Sequence, residues 1–289
     1  MALTRFHRAN AKSFSDANII VMGVPDESRS HATRKGTSTA PDTIRAASDE
    51  SEFFVRDGKL IPTVPMRGTL EGKRIFDAGN VQRNAVYEQA RKIVEAGKTP
   101  VTLGGDHSLT TDILKAAGSG RKLSLLYFDA HPDFVSSARN YYGSVLTDSA
   151  DYVDYKKSML VGTRAAEPEE IENAKKAGLA MVTPIDITDL GVHKVAEMIR
   201  EKVAGSRVYI SVDLDCVDPA FAPGVSVPSP GGITVADLLY LLTSTISSCD
   251  VIGFDIVELS PDYDADGRTA NLAARILTEC IACLKKSPS

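Results

Sequence analysis

Short apolar runs alternate along this chain with longer amphipathic stretches. Each run is nearly continuous in large apolar side chains, a pattern typical of parallel strands that are buried on both faces. Strands are predicted at residues 18–24, 99–103, 123–128, 158–162, 179–182, 207–212 and 251–257. Helices are predicted just after Pro41 and at residues 84–96, 109–117, 167–177, 188–204, 234–244 and 268–284. The alternation predicts one α/β domain over residues 1–289, with helices on both faces of a parallel sheet.

Two stretches interrupt this regular order. Residues 25–41 form a polar loop that is too long for a simple connector, so we expect it to line a site or an interface, with Arg45 as its anchor. Residues 53–81 show no clear period, and no element is predicted there. Asn84 and Thr234 are expected to cap the helices that follow them.

Acidic and histidine side chains collect where the predicted strands end. Asp129, His131 and Asp133 follow one strand within five residues, and His107 follows another. Because ligands in open α/β sheets bind beyond the carboxyl ends of the strands, we expect these side chains to share one site. An isolated histidine is more often a hydrogen-bonded structural residue, but the position of His107 after a strand favours a ligand.

Two further strands add carboxylates to the same edge. Asp213 and Asp215 are two residues apart, so in extended chain they would point the same way and repel each other unless a cation lay between them. The alternative is a pair of turn or capping aspartates. Glu258 directly follows the continuously apolar last strand, which favours a role in a site over a solvated position.

Composition excludes several classes of function. The formal net charge is −5 and no basic block offsets it, which argues against nucleic-acid and membrane-surface binding. No apolar run reaches the length of a membrane span, and the first residues lack the apolar core of a secretion signal, so we expect a soluble, cytoplasmic protein. Cys280 and Cys283 have CxxC spacing within an apolar helical pattern and are predicted to be buried structural thiols.

The residue types at the strand ends indicate a binuclear metal centre. Four carboxylates and two imidazoles are too many for one ion, whereas two ions that share bridging carboxylates can use them. Mixed oxygen and nitrogen ligands suit manganese better than a thiolate-preferring zinc site. Such a pair of ions lowers the pKa of a bound water, so a metallohydrolase is predicted. The predicted metal ligands are His107, Asp129, His131, Asp133, Asp213 and Asp215.

Several motifs together resemble the ureohydrolases, the family of arginase and agmatinase. They span nearly the whole chain in order, and the loop pattern is more similar to the agmatinase branch. The motifs are GVP at 23–25, GGDHS at 104–108, DAHPD at 129–133, GTR at 162–164, SVDLDCVDP at 211–219, APG at 222–224 with GG at 231–232, and DIVELSP at 255–261 with Asp264.

The resemblance implies an arginase-like three-layer α/β/α sandwich around an eight-stranded parallel sheet, two Mn²⁺ ions per chain, and homo-oligomers such as trimers or hexamers. It also implies two ligand sets: His107, Asp129, Asp133 and Asp213 for one ion, and Asp129, His131, Asp213 and Asp215 for the other. A hydroxide between the ions would attack the guanidino carbon of a small substrate. Glu258 would pair with the guanidinium, and Asp133 would carry a proton to the leaving nitrogen.

One departure from the family pattern concerns the substrate. Most arginases and agmatinases have a His-Gly pair in the loop after DAHxD, whereas this chain has Tyr142-Gly143 there. Asn140 and Tyr142 are predicted substrate-binding residues, and the predicted reaction converts agmatine to urea and putrescine. Arginase, guanidinobutyrase and formimidoylglutamase activities remain open, as does a non-catalytic regulator or subunit. A single-zinc deacetylase fits less well because it has no use for the second ligand set.

Overall fold

A computed structural model describes residues 5–51 and 53–285. The strands are β1 (Ile19–Gly23), β2 (Phe53–Arg56), β3 (Lys59–Pro62), β4 (Ile75–Asn80), β5 (Thr99–Leu103), β6 (Ser124–Phe128), β7 (Met159–Val161), β8 (Ala180–Val182), β9 (Arg207–Asp213) and β10 (Asp250–Val257). The α-helices are α1 (Ala40–Ser51), α2 (Val86–Glu95), α3 (Thr110–Gly118), α4 (Val145–Asp148), α5 (Pro168–Ala177), α6 (Pro184–Leu190), α7 (Val192–Lys202), α8 (Val235–Ser248) and α9 (Arg268–Cys283).

Eight of the strands form one parallel sheet. Its order is β4-β1-β5-β10-β9-β6-β7-β8, and every neighbouring pair is parallel. Parallel strands need crossover connections, and here helices run between them on both faces. The predicted three-layer α/β/α fold is confirmed. Strands β2 and β3 form a separate antiparallel hairpin.

Alternating side chains of each strand serve two hydrophobic cores. In β6, Leu126 and Phe128 belong to one core together with residues of α1, α7, α8 and α9. Leu125 and Tyr127 belong to the other, together with residues of α2, α3, α4 and α5. This period of two explains why the strands read as continuously apolar: both faces are covered by helices.

The unassigned stretch at 53–81 contains the edge strand β4, and Arg45 anchors this strand rather than the 25–41 loop. The Arg45 guanidinium is fully buried and donates two hydrogen bonds of 2.9 Å to the two carboxylate oxygens of Asp77. It donates a third, of 2.6 Å, to Asn80. A two-point pairing of this kind fixes the α1 helix against the strand.

Two predictions about helix ends were wrong and one is confirmed. The helix predicted at 188–204 is two helices, α6 and α7, because Gly191 (φ 81°, ψ 144°) separates them. Asn84 caps no helix, since it lies inside a 3-10 turn, while Thr234 caps α8 by accepting from the Asp237 N–H.

Cys280 and Cys283 are free and buried, as predicted. Across the described ranges, no helix has the length and apolarity that a membrane crossing would require.

Candidate metal centre and substrate site

Four adjacent strands in the middle of the sheet deliver the predicted ligands to one edge. His107 lies in a 3-10 turn after β5, and Asp129 follows β6. Asp213 is the last residue of β9, and Glu258 follows β10. Because these strands are neighbours in the order β5-β10-β9-β6, their carboxyl ends bring together residues that are up to about 150 positions apart.

The first group of ligand atoms surrounds the His107 imidazole. Its Nδ1 lies 3.0 Å from Asp129 Oδ2, 3.2 Å from Asp213 Oδ2 and 3.4 Å from Asp133 Oδ2. One ring nitrogen can donate at most one proton, so these three carboxylates cannot all be satisfied by it. Asp129 Oδ2 in fact makes no hydrogen bond although it is buried. Such an arrangement is what a cation would stabilise.

The second group is centred on His131. Its Nδ1 lies 3.0 Å from Asp215 Oδ2 and 3.4 Å from Asp129 Oδ1. The ligand atoms of His131, Asp129 and Asp215 lie within 4.8 Å of one another, and so do those of His107, Asp129 and Asp213. Asp129 therefore contributes to both groups, which is the position that a bridging ligand requires.

Asp215 reaches the site by a different route from the one expected. In extended chain Asp213 and Asp215 would point the same way, but β9 ends at Asp213 and Asp215 lies in the 3-10 turn that follows. Asp213 Oδ1 accepts from the Asp215 N–H at 2.8 Å, and Asp215 Oδ1 accepts from the Ala130 N–H at 3.0 Å. The capping interaction leaves the other oxygen of each carboxylate directed at a histidine.

The hydrogen bonds around His107 fit a metal ligand. Ser211 Oγ lies 2.6 Å from Asp255 Oδ1 and donates to it, so it accepts from His107 Nε2–H at 2.8 Å. In the neutral, metal-binding form of the imidazole this assignment directs the lone pair of Nδ1 at the three carboxylates. In the metal-free cluster Nδ1 keeps a proton, because burial, which lowers the pKa of His107, is outweighed by the Asp129 and Asp213 carboxylates, which raise it well above its usual range. A metal-bound histidine usually has its second nitrogen held in this way. The donor set therefore fits a pair of divalent cations of mixed oxygen and nitrogen preference.

Burial and charge shift the pKa values in this cluster. Burial raises the pKa of Asp213 well above its usual range, and the neighbouring Asp215 and Asp129 carboxylates add to the shift. Burial would also raise the pKa of Asp129, but the imidazoles of His107 and His131 lower it to about 2. Burial would lower the pKa of His131, but Asp215 and Asp129 raise it to about 12. Without a metal, the cluster thus holds protons that metal ions would displace.

These shifts predict the pH dependence of the metal-free protein. The folded cluster retains protons on His131 and Asp213 that the unfolded chain loses, so the free energy of unfolding should fall as pH rises from about 5 to 8. Metal ions bind the deprotonated ligands, so the rise in melting temperature on adding Mn²⁺ should grow over the same range. Melts of chelated and Mn²⁺-loaded protein at several pH values test both trends. A metal-induced shift that shrinks as pH rises would contradict them.

Glu258 lies at the fourth strand end and has one oxygen without a partner. Its Oε1 accepts from the His107 backbone N–H at 2.7 Å, whereas Oε2 is buried and makes no hydrogen bond. Burial and the carboxylate of Asp106 raise the pKa of Glu258 to about 7, although the Ser226 hydroxyl and the His107 backbone N–H lower it. A cationic donor brought next to Oε2 would satisfy this oxygen and favour the charged form.

Two of these residues have a strained backbone. Asp133 (φ 50°) and Glu258 (φ 66°) adopt the left-handed region, as does Asn140 (φ 60°). Non-glycine residues seldom adopt this region, and such positions cluster at functional sites.

The loop after Asp133 half-buries Tyr142 and leaves Asn140 exposed. Tyr142 is half-buried, and the charge of Glu258 contributes, after burial, to raising its pKa. Its backbone N–H donates to the Arg29 carbonyl at 3.3 Å, which ties this loop to the 25–41 loop. Asn140 is exposed, and its backbone N–H donates to Asp148. Substrate binding by Asn140 and Tyr142 remains a prediction.

Sequence reasoning assigned no role to three residues that support the ligands: Tyr127, Ser211 and Asp255. Tyr127 and Asp255 are polar side chains inside otherwise apolar strands, and both are fully buried. A buried polar side chain requires a partner, so their position in the strands was the signal available in the sequence.

Several known proteins are similar to this chain in sequence and fold. The model of the arginase family matches residues 17–283. Proclavaminate amidinohydrolase of Streptomyces clavuligerus is 32% identical over 281 residues, which cover 91% of this chain and 87% of that protein. Agmatinase of Chromobacterium violaceum is 30% identical over 296 residues, which cover 98% and 88%. The crystal structure of agmatine ureohydrolase of Thermoplasma volcanium matches with a TM-score of 0.82 and 29% identity, over 98% of this chain and 94% of that one.

The family model covers most of the chain, and two relatives reach at least 30% identity over most of their length. This chain belongs to the arginase family, whose members are binuclear metal hydrolases that cleave C–N bonds of linear amidines.

Proposed function

We propose that this protein hydrolyses agmatine to urea and putrescine with two Mn²⁺ ions per chain. The observation that carries the proposal is the buried, unpartnered Oε2 of Glu258, held beside two converging groups of carboxylates and imidazoles. A guanidinium is a planar cation with several N–H donors, which suits a single orphaned carboxylate oxygen.

The residues of the site have separate roles in the proposed reaction. His107, Asp129, Asp133 and Asp213 would hold one ion, and Asp129, His131, Asp213 and Asp215 the other. When bound, the two ions would supply a hydroxide nucleophile at neutral pH. Glu258 orients the guanidinium so that its carbon faces the ligand groups.

Asp133 is the group proposed to move a proton. In the metal-free protein, burial and the Asp129 carboxylate raise its pKa well above the usual range. With metal bound its carboxylate would be ionised, and it would take the proton released by the attacking water and pass it to the leaving nitrogen. Water adds to the guanidino carbon, the C–N bond to the alkyl chain breaks, and urea and a primary amine form.

A carboxylate-bearing substrate would be favoured by an arginine directed into the site from the 25–41 loop or from the loop after Asp133. The arginines of these loops, Arg29, Arg34 and Arg139, have other partners or line another cavity, which favours a cationic substrate. Arg34 stacks on Tyr263 at 4.8 Å, and Arg139 bonds Asp148 and the Thr147 carbonyl. Arg29 lines a separate cavity of about 410 Å³ that contains none of the predicted site residues. A carboxylate-bearing substrate would need a cation at the site, and relatives named agmatinase support the cationic choice. A cytoplasmic location and a trimer-based homo-oligomer are part of the proposal.

A substrate panel tests this proposal. Urea release by the Mn²⁺-loaded protein is measured with agmatine, arginine, guanidinobutyrate and guanidinopropionate, and formamide release with formimidoylglutamate. Agmatine should give the highest kcat/KM. A higher value for guanidinobutyrate or arginine would show that this compound, and not agmatine, is the substrate of the same reaction. No release from any compound, with two ions bound per chain, would favour the non-catalytic alternative.

A further inference from the structure

Tyr127 contacts two of the candidate ligands at once. It lies on β6, two residues before Asp129, and is 1% exposed. Its ring stacks on the His107 imidazole with a centroid distance of 4.6 Å and an interplanar angle of 6°. Its hydroxyl donates to Asp133 Oδ2 at 2.6 Å and lies 3.1 Å from His107 Nδ1. A single side chain thus spans ligands that come from two different strand ends.

The hydrogen bond to Asp133 is short, at 2.6 Å. When the carboxylate is ionised the bond is charge-assisted, the strong class of such bonds. Within residues 5–51 and 53–285, no other group donates a hydrogen bond to this carboxylate. Asp133 also has a left-handed backbone, so its side-chain direction is not set by regular structure. The Tyr127 hydroxyl therefore decides where the Asp133 oxygens lie before any ion binds.

The ring of Tyr127 performs a second task. His107 Nε2 is held by Ser211, which leaves rotation of the ring plane to be restricted by packing. A parallel tyrosine ring at 4.6 Å restricts it. The stacked ring and the bond from Ser211 together direct Nδ1 toward the carboxylates.

We propose that Tyr127 is a positioning residue for one of the two metal ions, the one held by His107 and Asp133. This inference rests on the metal centre of the proposed function, but not on the identity of the substrate. In the part of the chain that the structure describes, the hydrogen bonds and ring contacts of the Tyr127 side chain are with His107 and Asp133, and none is with His131 or Asp215. Tyr127 therefore acts on one ion selectively.

Tyr127→Phe tests the hydroxyl while it keeps the ring. Partners that orient a metal ligand typically contribute 10- to 100-fold in metal affinity, so one of two Mn²⁺ dissociation constants should rise by roughly that factor and the other should not change. Calorimetric titration of chelated protein with MnCl₂ measures both. Electron paramagnetic resonance at one equivalent per site should show isolated Mn²⁺ in place of a spin-coupled pair.

Tyr155→Phe is the matched control. Tyr155 is another buried tyrosine, and it donates its hydroxyl to the Leu146 backbone carbonyl and not to a ligand side chain. It should change the melting temperature of the metal-free protein about as much as Tyr127→Phe and leave both affinities unchanged. Tyr127→Leu removes the stacked ring as well as the hydroxyl, so it should weaken the binding of the same ion further.

Each outcome decides the inference. The inference is wrong if Tyr127→Phe binds both Mn²⁺ ions with wild-type affinity. It is also wrong if the affinity falls equally at both sites. A selective loss in a protein that cleaves no compound of the panel would support the positioning role and contradict the proposed substrate. Wild-type protein that binds no Mn²⁺ would overturn both proposals.

Discussion

Replacing Asp213 with alanine is expected to remove bound metal and abolish turnover. Asp213 is 3% exposed, and its Oδ2 lies 3.2 Å from His107 Nδ1. Its Oδ1 accepts from the Asp215 N–H, so the substitution also releases the turn that positions Asp215. Both ligand groups are therefore damaged by one change. The loss of kcat/KM should exceed the roughly 100-fold that removal of an outer partner of a metal ligand causes.

The measurement is metal content per chain by mass spectrometry, together with urea release. Asp154→Ala is the matched control, because Asp154 caps a 3-10 turn by accepting from the Lys156 N–H, much as Asp213 does. It lacks the contact with histidine and should keep both ions. Retention of two ions in Asp213→Ala would contradict the proposed bridging role.

The second large effect is expected for Glu258→Gln, which keeps the shape of the side chain and removes its charge. The amide oxygen can still accept from the His107 N–H, so metal content should not change. The bond to the substrate cation loses its charge assistance. A hydrogen bond to a charged group contributes about 1.5–3 kcal/mol, so kcat/KM should fall by roughly 10- to 150-fold.

Glu170→Gln provides the comparison for this variant. Glu170 is also a buried carboxylate on the carboxyl-edge side, but it accepts from the backbone N–H groups of Phe134 and Glu167. Because an amide has only one acceptor oxygen, Glu170→Gln loses one of these bonds and should lower the melting temperature. It should leave kcat/KM for agmatine close to the wild-type value. Unchanged substrate affinity in Glu258→Gln, or in the stronger Glu258→Ala, would show that a guanidinium is not what Glu258 binds.

The parts of the fold that could be predicted are those in which local pattern and burial agree. The central strands are covered on both faces, so their apolar runs mark them clearly. Strand β4 was missed because it lies at the sheet edge and carries Asp77 and Asn80, whose partner Arg45 comes from a distant helix. A polar strand stabilised by a long-range ion pair has no local signal.

The candidate site divides in the same way. Ligand types were predictable because acidic and histidine side chains follow apolar strands directly. The turn that holds Asp215 is a local capping interaction with Asp213, of the kind weighed above as the alternative. The supports around His107, such as Tyr127 and Ser211, depend on how neighbouring strands align. The register between strands is a property of the whole sheet, so it cannot be predicted from any one stretch of sequence.

The left-handed backbone of Asp133 and Glu258 has a consequence for the evolution and engineering of this protein. A residue held in a sparsely populated region costs on the order of 1–3 kcal/mol, and glycine would adopt the same backbone with less strain. Glycine at either position could therefore make the chain more stable while it deleted a ligand or the substrate carboxylate. Selection for thermal stability alone would act against the active site at these two positions, so stability and activity trade off there.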